Sequence, residues 1–556
     1  MRYIKSYSNT TDLRTDLDNG KLDHPYVAKI NGTIDFDSIG TNWKKKYFTI
    51  IALTDGTISY SHKEGSNPMF YSINEGEWIE TTVSVDFPVS KNDLIRFKSN
   101  RGNQAYNQGT FTSGGTAQFE VAGNLMSLVA GDDFATYVPN TNATGTDGDL
   151  YCSFKNFFKD CTGLASAQNL IIKFCDNESF SNFFNGCYNL QIPPKLPART
   201  LANNCYSNMF NGCQMLFTAP ELPATTLASN CYDGMFYGCS NLATAPALPA
   251  MTLANNCYSN MFYACYSLTT APELPATTLA NSCYNNMFEF CSSLTTAPEL
   301  PAETLADSCY GFMFQNCSNL TTAPALPATT LANYCYQYMF RNCTSLTSAP
   351  ALPAETLANY CYQYMFQGCT SLTTAPALPA TTLAESCYSN MFRGCTSLTT
   401  APMLPATTLA NVCYQYMFLD CTSLITAPEL PATTLGIMCY VSMFQGCTSL
   451  TTAPALPATT LNFMCYSNMF QNCSSLTTAP MLPATTLSFS SCSSMFSNCT
   501  SLNYIKCLAT DISAPSCTNN WVNGVASTGT FVKAAGMESW TAGTSGIPEG
   551  WDIEDA

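Results

Sequence analysis

The sequence predicts a repeat solenoid preceded by an all-β domain. Three observations carry this. A Phe recurs every 26 residues, from Phe158, Phe184 and Phe210 to Phe470 and Phe496, fourteen times without a slip. Each 26-residue unit has one half with paired apolar residues and one half with two prolines. The stretch before the repeats has short apolar runs broken by Gly and Asn. A fixed period of this length marks stacked units, none of which buries its apolar face alone.

The unit is best seen from Cys283 to Leu305. Its first half, Cys283-Tyr284-x-x-Met287-Phe288-x-x-Cys291, repeats apolar pairs every four positions, which predicts a short one-sided helical turn. Gly or Asn often precedes the second cysteine, as at Gly368, Gly394 and Asn472, and suits a left-handed helix end. The second half, from Ser293 to Pro301, holds Pro298 and Pro301 and is extended. A short strand over 294–297 is expected, stacked in parallel with its equivalents. Fourteen such strands would span roughly 65–70 Å.

Composition narrows the function. Of 556 residues, 46% are hydrophobic and 11% charged, and the net charge is −16. Between Leu201 and Ile505 there are eleven acidic residues and two basic ones, Arg341 and Arg393. Nucleic-acid binding needs the reverse balance. No apolar run approaches the roughly 20 residues of a membrane span. The opening residues Met1 to Ser8 carry no apolar signal core, so an ordinary secretory route is not expected.

Thirty cysteines suggest a disulfide framework, but their spacing does not. Eleven consecutive units carry a pair eight residues apart, from Cys205 with Cys213 to Cys465 with Cys473. Across a helical span that is roughly 12 Å, beyond the about 7 Å a disulfide tolerates. Equivalent cysteines in neighbouring units point the same way. A ladder of buried thiols is expected. Only His24 and His62 could complete a zinc site, and both lie outside the repeats, so no metal is expected.

In chain order, residues 1–40 form a polar leader with a hairpin at Asn31-Gly32, expected to be an attachment segment. Residues 41–140 read as a β-sandwich-like domain. Its strands are predicted over 47–53, 57–60 (returning after an Asp55-Gly56 turn), 79–85, 94–98 and 117–121. The lysine run Lys44 to Lys46 suits a solvated strand edge. Residues 141–505 are the repeats; the first two lack the leading cysteine, holding Ser153 and Ser179 instead. Residues 506–556, with Trp521, Trp540 and Trp551, are expected to cap the last unit.

The recurring Met-Phe-x-x-Cys-Thr-Ser-Leu-Thr-x-Ala-Pro-x-Leu-Pro resembles a BspA-type leucine-rich repeat over about residues 151–505. It departs from the usual form where Ala-Pro replaces β-branched strand residues. The resemblance makes the fold leucine-rich-repeat-like. The flanks Val121 to Leu128 and Gly546 to Trp551 resemble segments that bracket such repeats in gut Bacteroidales proteins and in their crAss-like phages. The resemblance implies surface display, adhesion and protein binding, without catalysis.

The residues agree on the last point. The repeats have no His, no phosphate loop and no activated thiol, so no enzyme and no cofactor is expected. The expected function is a structural or adhesion protein, either a phage virion fibre or decoration protein or, alternatively, a bacterial cell-surface adhesin. Its N-terminal region would dock on other virion proteins, and its repeats would meet a host-surface glycan or protein without membrane insertion. Fibres are often trimeric, so a homotrimer is one expected assembly. Candidate binding residues are those that vary within the fixed frame. Glu221, Glu273, Glu299 and Glu429 lie between the paired prolines. Tyr338, Tyr364 and Tyr416 precede the Met, and Tyr is enriched at interfaces.

Overall fold

The computed structural model describes residues 47–64, 68–99, 109–134, 154–172 and 175–556, and the backbone of three strands upstream. Those are β1 (Ile4–Tyr7), β2 (Val27–Ile30) and β3 (Thr33–Ile34). β2 and β3 pair antiparallel around Asn31-Gly32, as the hairpin signal predicts, and β1 adds in parallel to β2. The chain divides into two compact units, Met1–Ala198 and Arg199–Ala556.

Besides the sheet of β1, β2 and β3, the first unit contains two further sheets among the described residues. One holds β5 (Gly56–His62) between β8 (Val85–Val89) and β10 (Gly109–Thr112). The other runs in the order β12 (Leu164–Ile171), β11 (Phe119–Asn124), β4 (Phe48–Ala52), β9 (Leu94–Ser99), β6 (Met69–Ile73), β7 (Ile79–Thr81). Aromatic side chains join the sheets: Phe87 lies 5.8 Å from Phe97, and Phe48 6.2 Å from Phe111. The predicted return of 57–60 onto 47–53 does not occur, because β4 and β5 belong to different sheets. Gly56 permits the switch at φ +146, where a Cβ would stand 2.8 Å from the Ala117 amide nitrogen. The predicted strand over 79–85 divides into β7 and β8. The first repeat then joins this domain. Its β12 pairs in parallel with β11, and Phe157 and Phe158 pack on Phe48 at 5.8 and 6.1 Å.

The second unit corrects the reading of the repeat. No helix lies in it; the one α-helix among the described residues is Ser127–Ala130 in the first unit. In place of helical turns, the chain makes linked four-residue turns. Ser282, Asn286 and Phe290 have φ of +54, +57 and +63, and a left-handed residue at every fourth position forbids a right-handed helix. The apolar pairs keep a strict period of four, whereas a helix repeats every 3.6 residues. The amides of Met287, Glu289 and Cys291 bond back three residues, to the carbonyls of Tyr284, Asn286 and Phe288. The alternate amides of Tyr284, Asn286, Phe288 and Phe290 bond forward to Cys309, Gly311, Met313 and Gln315 in the next repeat, at 2.9–3.0 Å. Half of the turn's amides therefore join neighbouring repeats.

This linkage stacks like side chains on like. Phe288 lies 5.6 Å from Phe314 at 6°, and Tyr284 lies 5.8 Å from Tyr310 at 3°. Cys283, Met287, Phe288, Cys291 and Leu294 are wholly buried. The proline half contributes isolated parallel bridges rather than continuous strands, as at Thr296 with Thr322 and Thr304 with Thr330. Pro298 and Pro301 lack the amide hydrogens that would extend the ladder.

The turn pattern continues beyond Phe496. Phe496 donates to the carbonyl of Trp521, and Asn498 to that of Asn523, so residues around Trp521 form a further turn with Trp in the Met position. Trp521 stacks on Trp540 at 5.4 Å and donates Nε1–H to the Gly546 carbonyl at 2.8 Å. Tyr504–Cys507, Thr530–Lys533 and Asp552–Asp555 form a parallel sheet beside it.

Candidate binding face

The turn half presents two surface columns, one at the residue before the Met and one at the residue before the first Cys. Both are left-handed positions. Asn, Ser or Gly holds them in most repeats, as at Asn204, Asn208, Asn230, Gly234, Asn256 and Asn260, and these residues tolerate positive φ. In three consecutive repeats the first column instead carries Phe312, Tyr338 and Tyr364, with φ of +58, +58 and +59. Tyr334 and Tyr360 fill the second column, with φ of +59 and +58. A bulky side chain in this conformation is an outlier and costs on the order of 1 kcal/mol.

The rings stack across repeats. Phe312 lies 4.6 Å from Tyr338, Tyr338 4.4 Å from Tyr364, and Tyr334 4.8 Å from Tyr360. The Arg341 guanidinium sits 5.4 Å over the Tyr338 ring. Burial pushes the Tyr338 phenol up, helped by the neighbouring Tyr364 and opposed by Arg341. Tyr360 donates its hydroxyl to Glu385 at 3.0 Å, and that bond is the main cause raising its phenol.

The sequence-predicted residues fall into two strips. Tyr338 and Tyr364 are joined directly. Tyr416 belongs to the same column but has no ring neighbour, because Asn390 stands between. Glu221, Glu273, Glu299 and Glu429 are exposed in the proline half. Only Glu273 and Glu299 occupy adjacent repeats. Glu429 borders a cleft of about 320 Å³ formed with Pro428, Pro431, Pro454 and Pro457. Phe312, Tyr334, Tyr360 and Asn390 escaped the sequence reading. Their signal was present as aromatics at positions otherwise held by Asn, Ser and Gly, but it has meaning only once those positions are known to be left-handed.

The thiols form a separate, interior system. Twenty-seven cysteines among the described residues are buried and carry no disulfide; Cys175 and Cys205 are disulfide-bonded and stand outside this set. Each second cysteine from Cys239 to Cys499 donates its S–H to the Phe carbonyl of the preceding repeat, as Cys291 does to Phe262 at 3.1 Å. Burial pushes the Cys283 thiol up from 9.0 to about 12. A thiol held neutral is neither a nucleophile nor a metal ligand. Among the described residues no group of His, Cys, Asp or Glu is placed to hold a metal ion. None of the helices among them is long and apolar enough to cross a membrane.

A stack of cysteine-bearing, Leu-marked turns with variable surface columns defines a repeat protein of the binding class. The family described as BspA type leucine rich repeat region (6 copies) matches residues 203–347, 281–425 and 412–519, more than half of the chain. The chain belongs to this family, whose repeats are typically non-enzymatic and extracellular or surface-exposed. No curated protein and no solved structure matches the chain.

Proposed function

We propose that this protein is a non-enzymatic adhesion protein whose fourteen 26-residue units form a solenoid that displays its surface columns to an external ligand. The aromatic columns carry the reading. Phe312, Tyr334, Tyr338, Tyr360 and Tyr364 hold left-handed backbone positions that favour Asn or Gly, and backbone strain of this kind clusters at functional sites. The interior is near-invariant while these columns change identity, which is the division expected of a scaffold carrying a binding face. Tyr334 is exposed and the other tyrosines are half-buried, and Tyr is enriched at interfaces.

The setting we favour is a phage virion, with the protein as a fibre or decoration component. The N-terminal region would dock on other virion proteins and the repeats would face a host-surface ligand. That the buried cysteines carry no disulfide, Cys175 and Cys205 excepted, supports folding in a reducing compartment, where particles assemble. A bacterial cell-surface adhesin is the alternative. Mass spectrometry of purified particles and of washed cell-surface fractions separates them. Recovery on particles, lost on deletion of residues 1–40, supports the virion reading; recovery only in the cell-surface fraction overturns it. Failure of the purified protein to bind either cells or extracted surface components would remove the adhesion reading itself.

A further inference from the structure

The residue seven before the marker Phe forms a further column. In nine successive rungs, from Asn203 to Asn411, it is Asn, Asp, Ser or Glu. The Asn side chains have local work there. Asn255, Asn359 and Asn411 each accept the amide hydrogen of the same column position in the next repeat, at 3.2, 3.1 and 2.9 Å. The next three rungs hold Ile437, Phe463 and Phe489 instead. These are 40%, 37% and 45% exposed. The two rings stack at 5.4 Å and 13°. Met438 and Met464 follow Ile437 and Phe463 in the chain, half-buried at φ of +55 and +51. Asn462 takes over one abandoned amide, accepting from Phe463 at 2.8 Å.

Exposed apolar residues scattered singly need no explanation, but a contiguous file of them marks a contact site. Its surroundings indicate the partner. Between Glu429 and Lys506 no residue is charged, and all eleven acids of the repeats precede Leu430. The cores of protein interfaces are depleted of charge, and a few apolar anchors inside a polar rim carry most of the binding energy. A cationic partner would be drawn to the acidic rungs and finds nothing to hold here. The chain carries a net charge of −16, so two copies repel where their acids approach. They meet without that penalty on the uncharged rungs, where the strip is its own apolar complement.

We propose that the strip of Ile437, Phe463 and Phe489 is a self-association site, on which the same strip of a second copy packs about a two-fold axis near Phe463. A two-fold contact uses one patch twice, so each copy needs only this surface. The three side chains span about 10 Å of the stack and form the centre of the contact. A stable pairing buries about 800 Å² per copy, more than three side chains supply, so the uncharged Ser, Thr, Asn and Gln of the same rungs form its rim. Pairing would double the columns presented to a ligand and so raise avidity. The proposal goes beyond the adhesion reading and stands without it.

The test uses the full chain in sedimentation and light scattering at about 1–100 μM. The parent should reach twice the chain mass. The double variant Phe463→Asn, Phe489→Asn should remain at the chain mass where the parent pairs, its dissociation constant raised at least about tenfold. Asn is what most earlier rungs carry at this position, so the fold should persist; near-UV circular dichroism and a denaturation curve check this. Met403→Asn, in the proline half, removes another exposed apolar residue and should leave pairing unchanged. Salt gives a second readout. Raising sodium chloride from about 0.05 to 0.5 M screens the acids of the two copies, so an apolar pairing should tighten. A parent that stays monomeric overturns the proposal, as does pairing that survives the double variant, pairing that loosens in salt, or a mass three times that of the chain. A monomer that floats with neutral phosphatidylcholine vesicles, and loses this in the double variant, makes a lipid surface the occupant and overturns the second copy.

Discussion

The thiol of Cys265 donates to the carbonyl oxygen of Phe236, 3.2 Å away in the preceding repeat. That oxygen also accepts from the Cys239 amide at 3.1 Å within its own repeat. The two bonds use both lone pairs of one carbonyl, and one of them crosses between repeats. Cysteine suits the position because it is small, apolar and still a weak donor.

Removing that donor should have a modest, measurable effect. In Cys343→Val the Phe314 carbonyl keeps its bond from the Cys317 amide and loses only the thiol, 3.2 Å away. We expect a loss of about 0.5–1.5 kcal/mol by chemical denaturation. A valine variant as stable as the parent would show that the thiol contributes packing alone.

Alkaline pH should destabilise the repeats steeply. The thiols of Cys283, Cys335 and Cys387 are each pushed from 9.0 to about 12 by burial. Below pH 9 both states hold neutral thiols and the contribution is intact. Above it the unfolded chain ionises first, so stability falls as pH rises from 9 towards 12. Each such thiol adds a slope of about 1.4 kcal/mol per pH unit. Denaturant midpoints at pH 7, 9 and 10.5 read this directly; a midpoint that does not move contradicts it. At pH 8 the native protein should resist alkylation that proceeds freely after unfolding.

Interior and surface substitutions should separate cleanly. Phe366 is wholly buried in the ring file and Met403 is 82% exposed. Phe366→Ala should cost about 3–5 kcal/mol, and Met403→Ala should stay within about 0.5 kcal/mol. Equal losses would mean that Met403 is packed against something in solution.

Tyr416→Asn and Tyr338→Asn should differ in sign. Both replace a bulky residue at positive φ, +56 and +58, with one that tolerates it. Tyr416 has no ring neighbour, so relief of backbone strain should leave Tyr416→Asn neutral or more stable by up to about 1 kcal/mol. Tyr338 stacks on Phe312 and Tyr364, and losing two stacks of about 0.5–1.5 kcal/mol each outweighs that relief. Thermal midpoints of the two variants moving together would dismiss this account of the column.

Much of this was written in the sequence. The 26-residue period determined that like stacks on like, that Phe, Met, Cys and Leu face inward, and that prolines break the strand side, because these depend on spacing and residue type alone. The hairpin at Asn31-Gly32 was equally local. What tertiary structure decided was the conformation of the turn half. Apolar pairs every four residues fit a helix nearly as well as linked turns, and the difference lies in amides such as that of Phe288, whose partner Met313 sits in the next repeat. A hydrogen bond made only on stacking leaves no local mark. The same holds for the switch of β4 and β5 between sheets and for the pairing of β12 with β11. It holds too for the candidate binding face: Tyr338, Tyr364 and Tyr416 were legible as variable positions, but whether two of them touch, and what lies between the others, depended on the rung on which each one falls.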